Sequence, residues 1–474
     1  MAKAKKSETS LTLEGKLEQA LIADDEQPYK VPDNWCWVKL NCMSKAISKG
    51  TTPTGGRAAY QNVGVAFLRV ENINDDGTIS HENIACINED IHKNFLKRSI
   101  LNDKDVLVSI AGTLGKTGIV REIDLPLNTN QAIAFIRLIS DVASERYIKY
   151  AIDTPIIQRL LLSQTKVTAI PNLTLKAISN CPMPLPPISE QQRIVNHIET
   201  FFSKLDEVKE NVQNVIDGFE NRKSAILHKA FNGELTAKWR KENHIDRELW
   251  ESKSIADLFT HTTGKALKKD NKEGILHKYI TTSNLYWGMF DFTEVRKMYF
   301  TDREIDKCTA KKGDLLICNG GDVGRAAIWD YDYDICLQNH ISKLRKKQDN
   351  LEVRFFFYYF MLSKLKGNIN SKGIGISSLS AKDLLAMSVK LPTLQEQIEI
   401  VRILDNILLK QQQAKEKAED VLERIELIKK SILARAFRGE LGTNNPDEES
   451  SLELLKMVLS EDKDEKTISK PESK

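Results

Sequence analysis

The chain has 474 residues, 41% hydrophobic and 28% charged, with 69 Lys+Arg against 66 Asp+Glu. That length implies two or three domains, and that composition excludes wholesale disorder, a collagenous repeat and a disulfide scaffold. No run reaches the roughly 18 apolar residues of a membrane span, the basic start MAKAKKSETS turns polar without a secretory core, and the seven cysteines form no CxxC pair, so a cytoplasmic chain without a zinc site is expected.

In chain order, residues 1–29 read as an N-terminal arm and 30–186 as a first mixed domain. In that domain Val65 to Val70, Asp105 to Ile110 and Ile133 to Ile139 are short apolar stretches bounded by Gly, Asn and Asp, the pattern of strands, and 145–163 reads as a helix. Residues 187–243 hold a long helix from about 190 to 232 and a linker. A second mixed domain spans 244–391, with a strand over Asp314 to Ile317 and a helix over 351–366. A second long helix fills 392–441, and 442–474 is a charged tail with a short helix after Pro446. Lys+Arg exceed Asp+Glu by 18 to 14 over residues 30–185 and by 24 to 19 over 244–391, a surplus that suits an anionic partner without demonstrating one.

The two halves are copies. Leu185-Pro186, Glu190-Gln191 and Ile194-Val195 recur 206 residues later as Leu391-Pro392, Glu396-Gln397 and Ile400-Val401, and Gly233-Glu234-Leu235 as Gly439-Glu440-Leu441. Upstream the shift is 209: Asp105, Gly112, Gly115, Lys116 and Asn130 align with Asp314, Gly321, Gly324, Arg325 and Asn339. The first long helix carries a heptad seam, Ile194, Ile198, Phe201, Leu205, Val208, Val212, Val215, Phe219, Arg222 and Ile226. The second repeats it as Ile400, Leu404, Ile407, Gln411, Ala414, Ala418, Val421, Ile425, Ile428 and Ile432, thinner at its centre. Ser189 with Gln192, and Thr393 with Glu396, fit capping boxes, and Gly233 and Gly439 fit helix stops. Two equal seams in one chain can satisfy each other as an intramolecular antiparallel pair, against the alternative of each helix lying on its own domain.

Enzyme signatures fail on spacing. GTLGKTG, residues 112–118, lacks the glycine that a nucleotide loop needs where Ile110 stands, and a Gly-rich turn between strands is the better reading. Neither a metal-hydrolase histidine pattern nor a methyltransferase tetrapeptide is present. Recognition remains. Lys49, Arg57, Arg69, Asn72, Lys116, Asn128, Asn130 and Gln131 in the first half have the chemistry to contact phosphates or base edges. So do Lys265, Lys268, Lys269, Lys278, Asn284, Arg325, Gln338, Asn339 and His340 in the second. For any single one of them the plainer reading, a solvated loop residue, is favoured, and Tyr60, Tyr286 and Trp287 either stack on bases or fill core.

Two variable domains, each ending in PLPPISEQQRIV or KLPTLQEQIEIV and followed by a long helix ending in KAFNGEL or RAFRGEL, resemble the DNA-specificity subunit of type I restriction-modification enzymes over residues 30 to 441. The resemblance implies an α+β mixed fold: two pseudo-twofold-related target recognition domains separated by two long antiparallel coiled-coil helices. It implies that each domain reads one half of a split, asymmetric site in double-stranded DNA, while the helices set the gap and dock adenine methyltransferase subunits, two in number. The chain would be a non-catalytic subunit with no cofactor of its own; S-adenosylmethionine would belong to the methyltransferase subunits, and ATP and magnesium to the restriction subunits. A coiled-coil adaptor that binds only protein is the alternative.

Overall fold

The computed structural model describes residues 12–55, 59–164, 171–246, 250–267, 272–369 and 378–461. Arg57, Lys268 and Lys269 lie outside them, as do the first eleven residues and the end of the tail. The chain forms two compact units, Met1–Glu210 with Leu422–Lys474, and Asn211–Val421. The division cuts both long helices, so each unit holds one mixed domain and one part of each helix.

In the first unit a four-stranded antiparallel sheet runs Ser44–Lys49, Ile133–Leu138, Val106–Ser109, Thr117–Ile119. A three-stranded sheet places Val65–Leu68 between Ala85–Ile87 and, in parallel, Leu127–Thr129. Cys36–Lys39 pairs with Pro182–Leu185 and closes the domain start to end. The second unit repeats this plan. Its four-stranded sheet runs Phe259–Thr263, Ile341–Lys346, Leu315–Cys318, Ala326–Ile328, and Ile275–Ile280 lies between Arg296–Phe300 and Ile335–Leu337. Glu251–Ser254 closes on Ser388–Leu391.

The unbroken apolar runs of the central strands now have a cause. Val106 and Val108 face one core with Ile136 and Tyr147, whereas Leu107 faces another with Leu68 and Phe135. Leu315 and Ile317 likewise part from Leu316 and Cys318. A strand covered on both faces has no polar side to alternate with. The aligned Asp105 and Asp314 sit just before these strands. Each accepts a backbone N–H, from Asn102 at 2.8 Å and Lys311 at 2.7 Å, and each holds an arginine of the neighbouring strand, Arg137 or Arg345, through two oxygens. The Gly-rich segments are turns between antiparallel strands. Gly115 and Gly324, at φ +79° and +85°, donate to the Ser109 and Cys318 carbonyls, a backbone conformation that favours glycine.

The helix expected over 145–163 is two, Glu145–Asp153 and Pro155–Ser163. Pro155 forces Thr154 out of the helical region, and the Thr154 hydroxyl caps the second piece. The helix over 351–366 is Val353–Leu365, and a C-terminal helix spans Ser451–Glu461.

The long helices are Ile188–Phe231 and Leu394–Ala436, 44 and 43 residues, which at ~1.5 Å per residue is roughly 65 Å each. Gly233 and Gly439 follow at φ +79° and +74°. In the first unit they run antiparallel: Lys209 bonds Glu426 at 2.7 Å while Asp206 receives Lys429. In the second unit Leu227 and Ala230 share a core with Ile400 and Leu404, whereas Phe219 shares a cavity wall with Leu408 and Gln411, again opposite directions.

Away from the two helix starts, the seam departs from the expected register at alternate positions. Ile194, Ile198, Phe219, Ile400, Leu404 and Ile425 are buried, and Leu205, Val212, Ile226, Ile407 and Ile432 are half-buried. Phe201, Val208, Val215, Val421 and Ile428 are between 37% and 49% exposed. Their covered neighbours are Phe202, Ile216, Leu422 and Lys429. Between the shared positions, such as Ile198 and Leu205 or Val212 and Phe219, the expected 3-4 order is thus 4-3, and a one-residue slip turns a side chain by about 100° on a 3.6-residue helix. Apolar residues stand side by side at outer and inner positions, Phe201 with Phe202, Val215 with Ile216 and Val421 with Leu422, so hydrophobicity does not separate the two registers.

The Glu-Gln pair at each helix start anchors the helix to its domain. Glu190 accepts the Trp35 indole N–H at 2.9 Å and the Thr443 hydroxyl at 3.3 Å. Glu396 accepts the Trp250 indole at 2.8 Å, the Thr236 hydroxyl at 2.7 Å and Arg240. Gln191 donates to the Val142 and Pro186 carbonyls and accepts from Ser144 N–H; Gln397 does the same with Asn350, Pro392 and Glu352. The capping boxes hold only in part. The Thr393 hydroxyl accepts the Glu396 N–H at 3.4 Å as expected, but the Glu396 carboxylate turns inward instead of back to the cap, and Ser189 lies inside the first turn of a helix that starts at Ile188, after Pro186-Pro187.

Candidate nucleic-acid interface

The expected contact residues divide by what the fold does with their polar atoms. Asn72 and Asn284 occupy one place in the two copies: each side-chain oxygen accepts a backbone N–H from three residues earlier, Arg69 at 3.0 Å and Thr281 at 2.9 Å. Both are buried, and Asn284 also donates to the Asp291 and Glu294 carbonyls. Asn128 is buried against His92 and the Leu96 carbonyl, and burial pushes the His92 pKa down. Lys265 is nearly covered, its ammonium on Glu304 and the Tyr299 carbonyl, both at 2.7 Å. Asn128, Asn284 and Lys265 spend their side-chain polar groups inside the domains, and Asn72 spends its side-chain oxygen there; buried polar groups find internal partners.

The rest reach solvent. Lys49, Gln131, Lys278 and His340 are exposed, and Arg69, Lys116, Asn130, Arg325, Gln338 and Asn339 are half-buried. Gln131 bonds Thr52, Asn130 accepts the Ala132 N–H at 3.1 Å, and Arg69 pairs with Glu71 at 2.8 Å. The aligned Asn130 and Asn339 do not share a place: Asn130 donates N–H to the Leu68 carbonyl, and in the second copy it is Gln338 that donates to the matching Ile280, whereas Asn339 donates to Lys265, so one residue drops out between the turn and this strand.

The turns after the two capping asparagines contrast most. In the first copy the tip is Asn74-Asp75-Asp76-Gly77, and fully exposed Asp75 pairs with Lys116 at 2.9 Å. In the second it is Tyr286-Trp287-Gly288, between Leu285–Tyr286 and Met289–Phe290, and the Arg325 guanidinium lies 4.9 Å from the centre of the Tyr286 ring. Tyr286 is 42% exposed, whereas Trp287 packs edge-on against Phe357 and Tyr60 against Phe67. Thus Tyr286 is presented and the other two aromatics contribute to packing. Arg325 also donates to the Thr282 carbonyl, and its Nε is buried without a partner.

Two cationic features escaped sequence reasoning. Lys297 lies directly opposite Lys278 across paired strands, a relation visible only once the register is known. The turn after Ala85–Ile87 exposes Phe95 between Lys93 and Lys97-Arg98; alternating basic and aromatic residues were the available signal. By contrast the basic run Arg345-Lys346-Lys347 is occupied, with Arg345 on Asp314, Lys346 on Asp349 and Lys347 on the Ala256 carbonyl. A cavity of about 770 Å³ beside Gly288, Arg345 and Arg354 offers no free cation among the described residues that line it, because Lys312 and Arg354 are also paired, with Asp332 and Asp405. Among the described residues no group of three or more His, Cys, Asp or Glu side chains is placed to hold a metal ion, and no helix is long and apolar enough to cross a membrane.

One mixed domain present twice, each copy anchored to long antiparallel helices and presenting different side chains at matched tips, defines a chain with two related but unlike binding modules. The family model described as the type I restriction modification DNA specificity domain matches residues 32–217 and 247–424, and the chain belongs to that family. The type I restriction enzyme EcoBI specificity subunit of Escherichia coli is 32% identical over 222 residues, so the match spans about half of each protein, 46% of this chain and 46% of that one. The MjaVIII specificity subunit of Methanocaldococcus jannaschii is 24% identical over 88% of this chain and 95% of its own length. A solved chain from work on complex assembly and conformational transition of the type I R-M system shares the fold, with a TM-score of 0.68 at 20% identity over 87% of this chain and all of that one.

Proposed function

We propose that this chain is the sequence-specificity subunit of a type I restriction-modification system. Each mixed domain reads one half of a bipartite, asymmetric duplex site, and the long helices set the number of unread base pairs between the halves. They also dock adenine methyltransferase subunits, two per chain, and restriction subunits join the same assembly. Methylation and ATP-dependent cleavage are then the partners' chemistry: S-adenosylmethionine sits in the methyltransferase subunits, ATP and magnesium in the restriction subunits, and this chain binds none of them. The assembly works in the cytoplasm, where the DNA is.

The observation that carries this reading is the double match to a DNA specificity domain, combined with tips that differ between the copies, Asp75 with Lys116 against Tyr286 with Arg325. Equal frames with unequal contact groups suit two unlike half-sites. The test is a gel-shift series with the full chain and its methyltransferase partner. Salt-sensitive retention that prefers one duplex sequence is expected. Retention indifferent to sequence would favour the protein-only adaptor.

A further inference from the structure

The second domain carries a two-stranded ribbon whose charge the fold does not balance. Ile275–Ile280 pairs antiparallel with Arg296–Phe300 over five residues, but only Tyr279 and Ile280 have a third strand on their other side. Residues 275–278 and their partners therefore extend as a ribbon of two strands. On one face Met298 and Phe300 are buried with Tyr279. On the other, Lys278 and Lys297 stand directly opposite each other, both exposed, beside Leu276 at 49% exposure.

Like charges directly opposite across antiparallel strands destabilise the pair, their Cβ atoms being only about 5 Å apart. Neither lysine makes an ion pair among the described residues. The first copy shows that the frame does not require them. Counting six residues back from the matched asparagines Asn72 and Asn284, Lys278 aligns with Ala66, and Ala66 faces Cys86 where Lys278 faces Lys297. The matched position is neutral in the first copy, where Leu127 also pairs with Ala66 as a third strand, and doubly cationic and two-stranded in the second.

We propose that this ribbon is a phosphate-binding element of the second recognition domain, with Lys278 and Lys297 each holding one phosphate of the duplex backbone. The proposal rests on the DNA-reading function and assigns a part of it. A two-stranded ribbon is narrow enough for the major groove of B-DNA, and a lysine, as a flexible point charge, suits phosphate better than bidentate reading of a base. Two phosphates released of counterions convert the repulsion between the lysines into attraction for the ligand, which explains a pair that costs the free protein stability. The contact positions the domain and carries no sequence information itself.

The test compares the full chain with K278Q, K297Q and the double variant, using a duplex bearing the site mapped from genomic adenine methylation and a scrambled duplex of equal length. Each single variant should make the slope of log K against log salt shallower by about 0.9, and the double by about 1.8. Affinity should fall by the same factor on both duplexes, at least about tenfold for the double variant at 0.1 M salt. K346Q, which removes an ion-paired lysine, should leave the slope unchanged, and the melting temperature of the double variant should equal or exceed that of the parent. An unchanged slope overturns the ribbon assignment. Altered preference between duplexes at an unchanged slope makes the lysines base readers and overturns it too, and a lower melting temperature makes them structural. If the parent chain shows no preference between the duplexes, the specificity reading fails instead, while the slope on the scrambled duplex still judges the ribbon.

Discussion

At the helix anchor Glu190 takes hydrogen bonds from neutral donors, Trp35 and Thr443, with the nearby Arg193 spent on Glu448, whereas Glu396 meets the matching Trp250 and Thr236 and also bonds buried Arg240 directly. At the tip of the mixed domain the first copy sets lysine against aspartate and the second sets arginine beneath tyrosine. Indole, hydroxyl and carboxylate recur because they answer each other inside the fold; the cation beside them and the groups at the tip vary. Duplication thus separates what the frame requires from what each copy can spend on a ligand.

The anchor yields the largest expected effect. Glu396→Ala strands the Arg240 guanidinium in a covered site and should destabilise the second unit by about 3–5 kcal/mol. Glu190→Ala leaves two neutral donors unmet and should cost about 1–3 kcal/mol. Urea denaturation followed near the two tryptophans checks the order, and equal losses would remove Arg240 from the account.

Smaller effects sharpen the tip comparison. If the second tip contacts DNA, Tyr286→Ala should lose about 1–3 kcal/mol of binding, the range for an aromatic stacked on a base, and alter preference in one half-site only. Asp75→Ala removes a negative charge and should hold or raise affinity. Binding to duplexes mutated in one half at a time measures both. Preference altered in both halves by Tyr286→Ala would break the separation of the copies.

The Glu190 carboxyl gives a pH prediction. Burial pushes its pKa up, and its hydrogen bonds only partly oppose this. The folded state therefore binds more protons than the unfolded chain between the ordinary glutamate pKa and the raised one, so this group's contribution to stability falls as pH rises through that window. Glu190→Gln should flatten that part of a stability-against-pH curve; an unchanged curve would assign the slope elsewhere. The smallest effect belongs to the surface pairs Arg146–Glu199 and Arg354–Asp405, which tie each domain to its long helix. Removing either arginine should cost about 0.2–1 kcal/mol in a thermal melt, and after removal of Arg354 the Asp405 carboxylate keeps its Tyr358 donor.

Much of the frame was legible. The repeat, the central strands and both long helices follow from periodicity and aligned glycines, because these record backbone geometry directly. The seam was half legible: positions seven apart such as Ile198, Leu205, Val212 and Phe219 are covered, but the alternate set was assigned to Phe201, Val208 and Val215, and the helices turn these outward. The contact set was least legible, for a physical reason. Asparagine, lysine and arginine that close turns have the same composition as those that meet a ligand, so Asn72, Asn128, Asn284 and Lys265 could be separated from exposed Lys278 only by their hydrogen bonds. The Glu-Gln motif was seen as a helix start, and its role as a buried anchor required the Trp35 and Trp250 partners, about 150 residues away in sequence.

The central claim is that one chain carries two unlike readers with separate duties, and genomic adenine methylation tests it most directly. A host carrying this system should show methylation at a split motif with two different halves, and replacing residues 30–185 with the matching segment of a relative should change the letters of one half while the other half and the gap persist. A continuous motif, or a replacement that rewrites both halves, would contradict it.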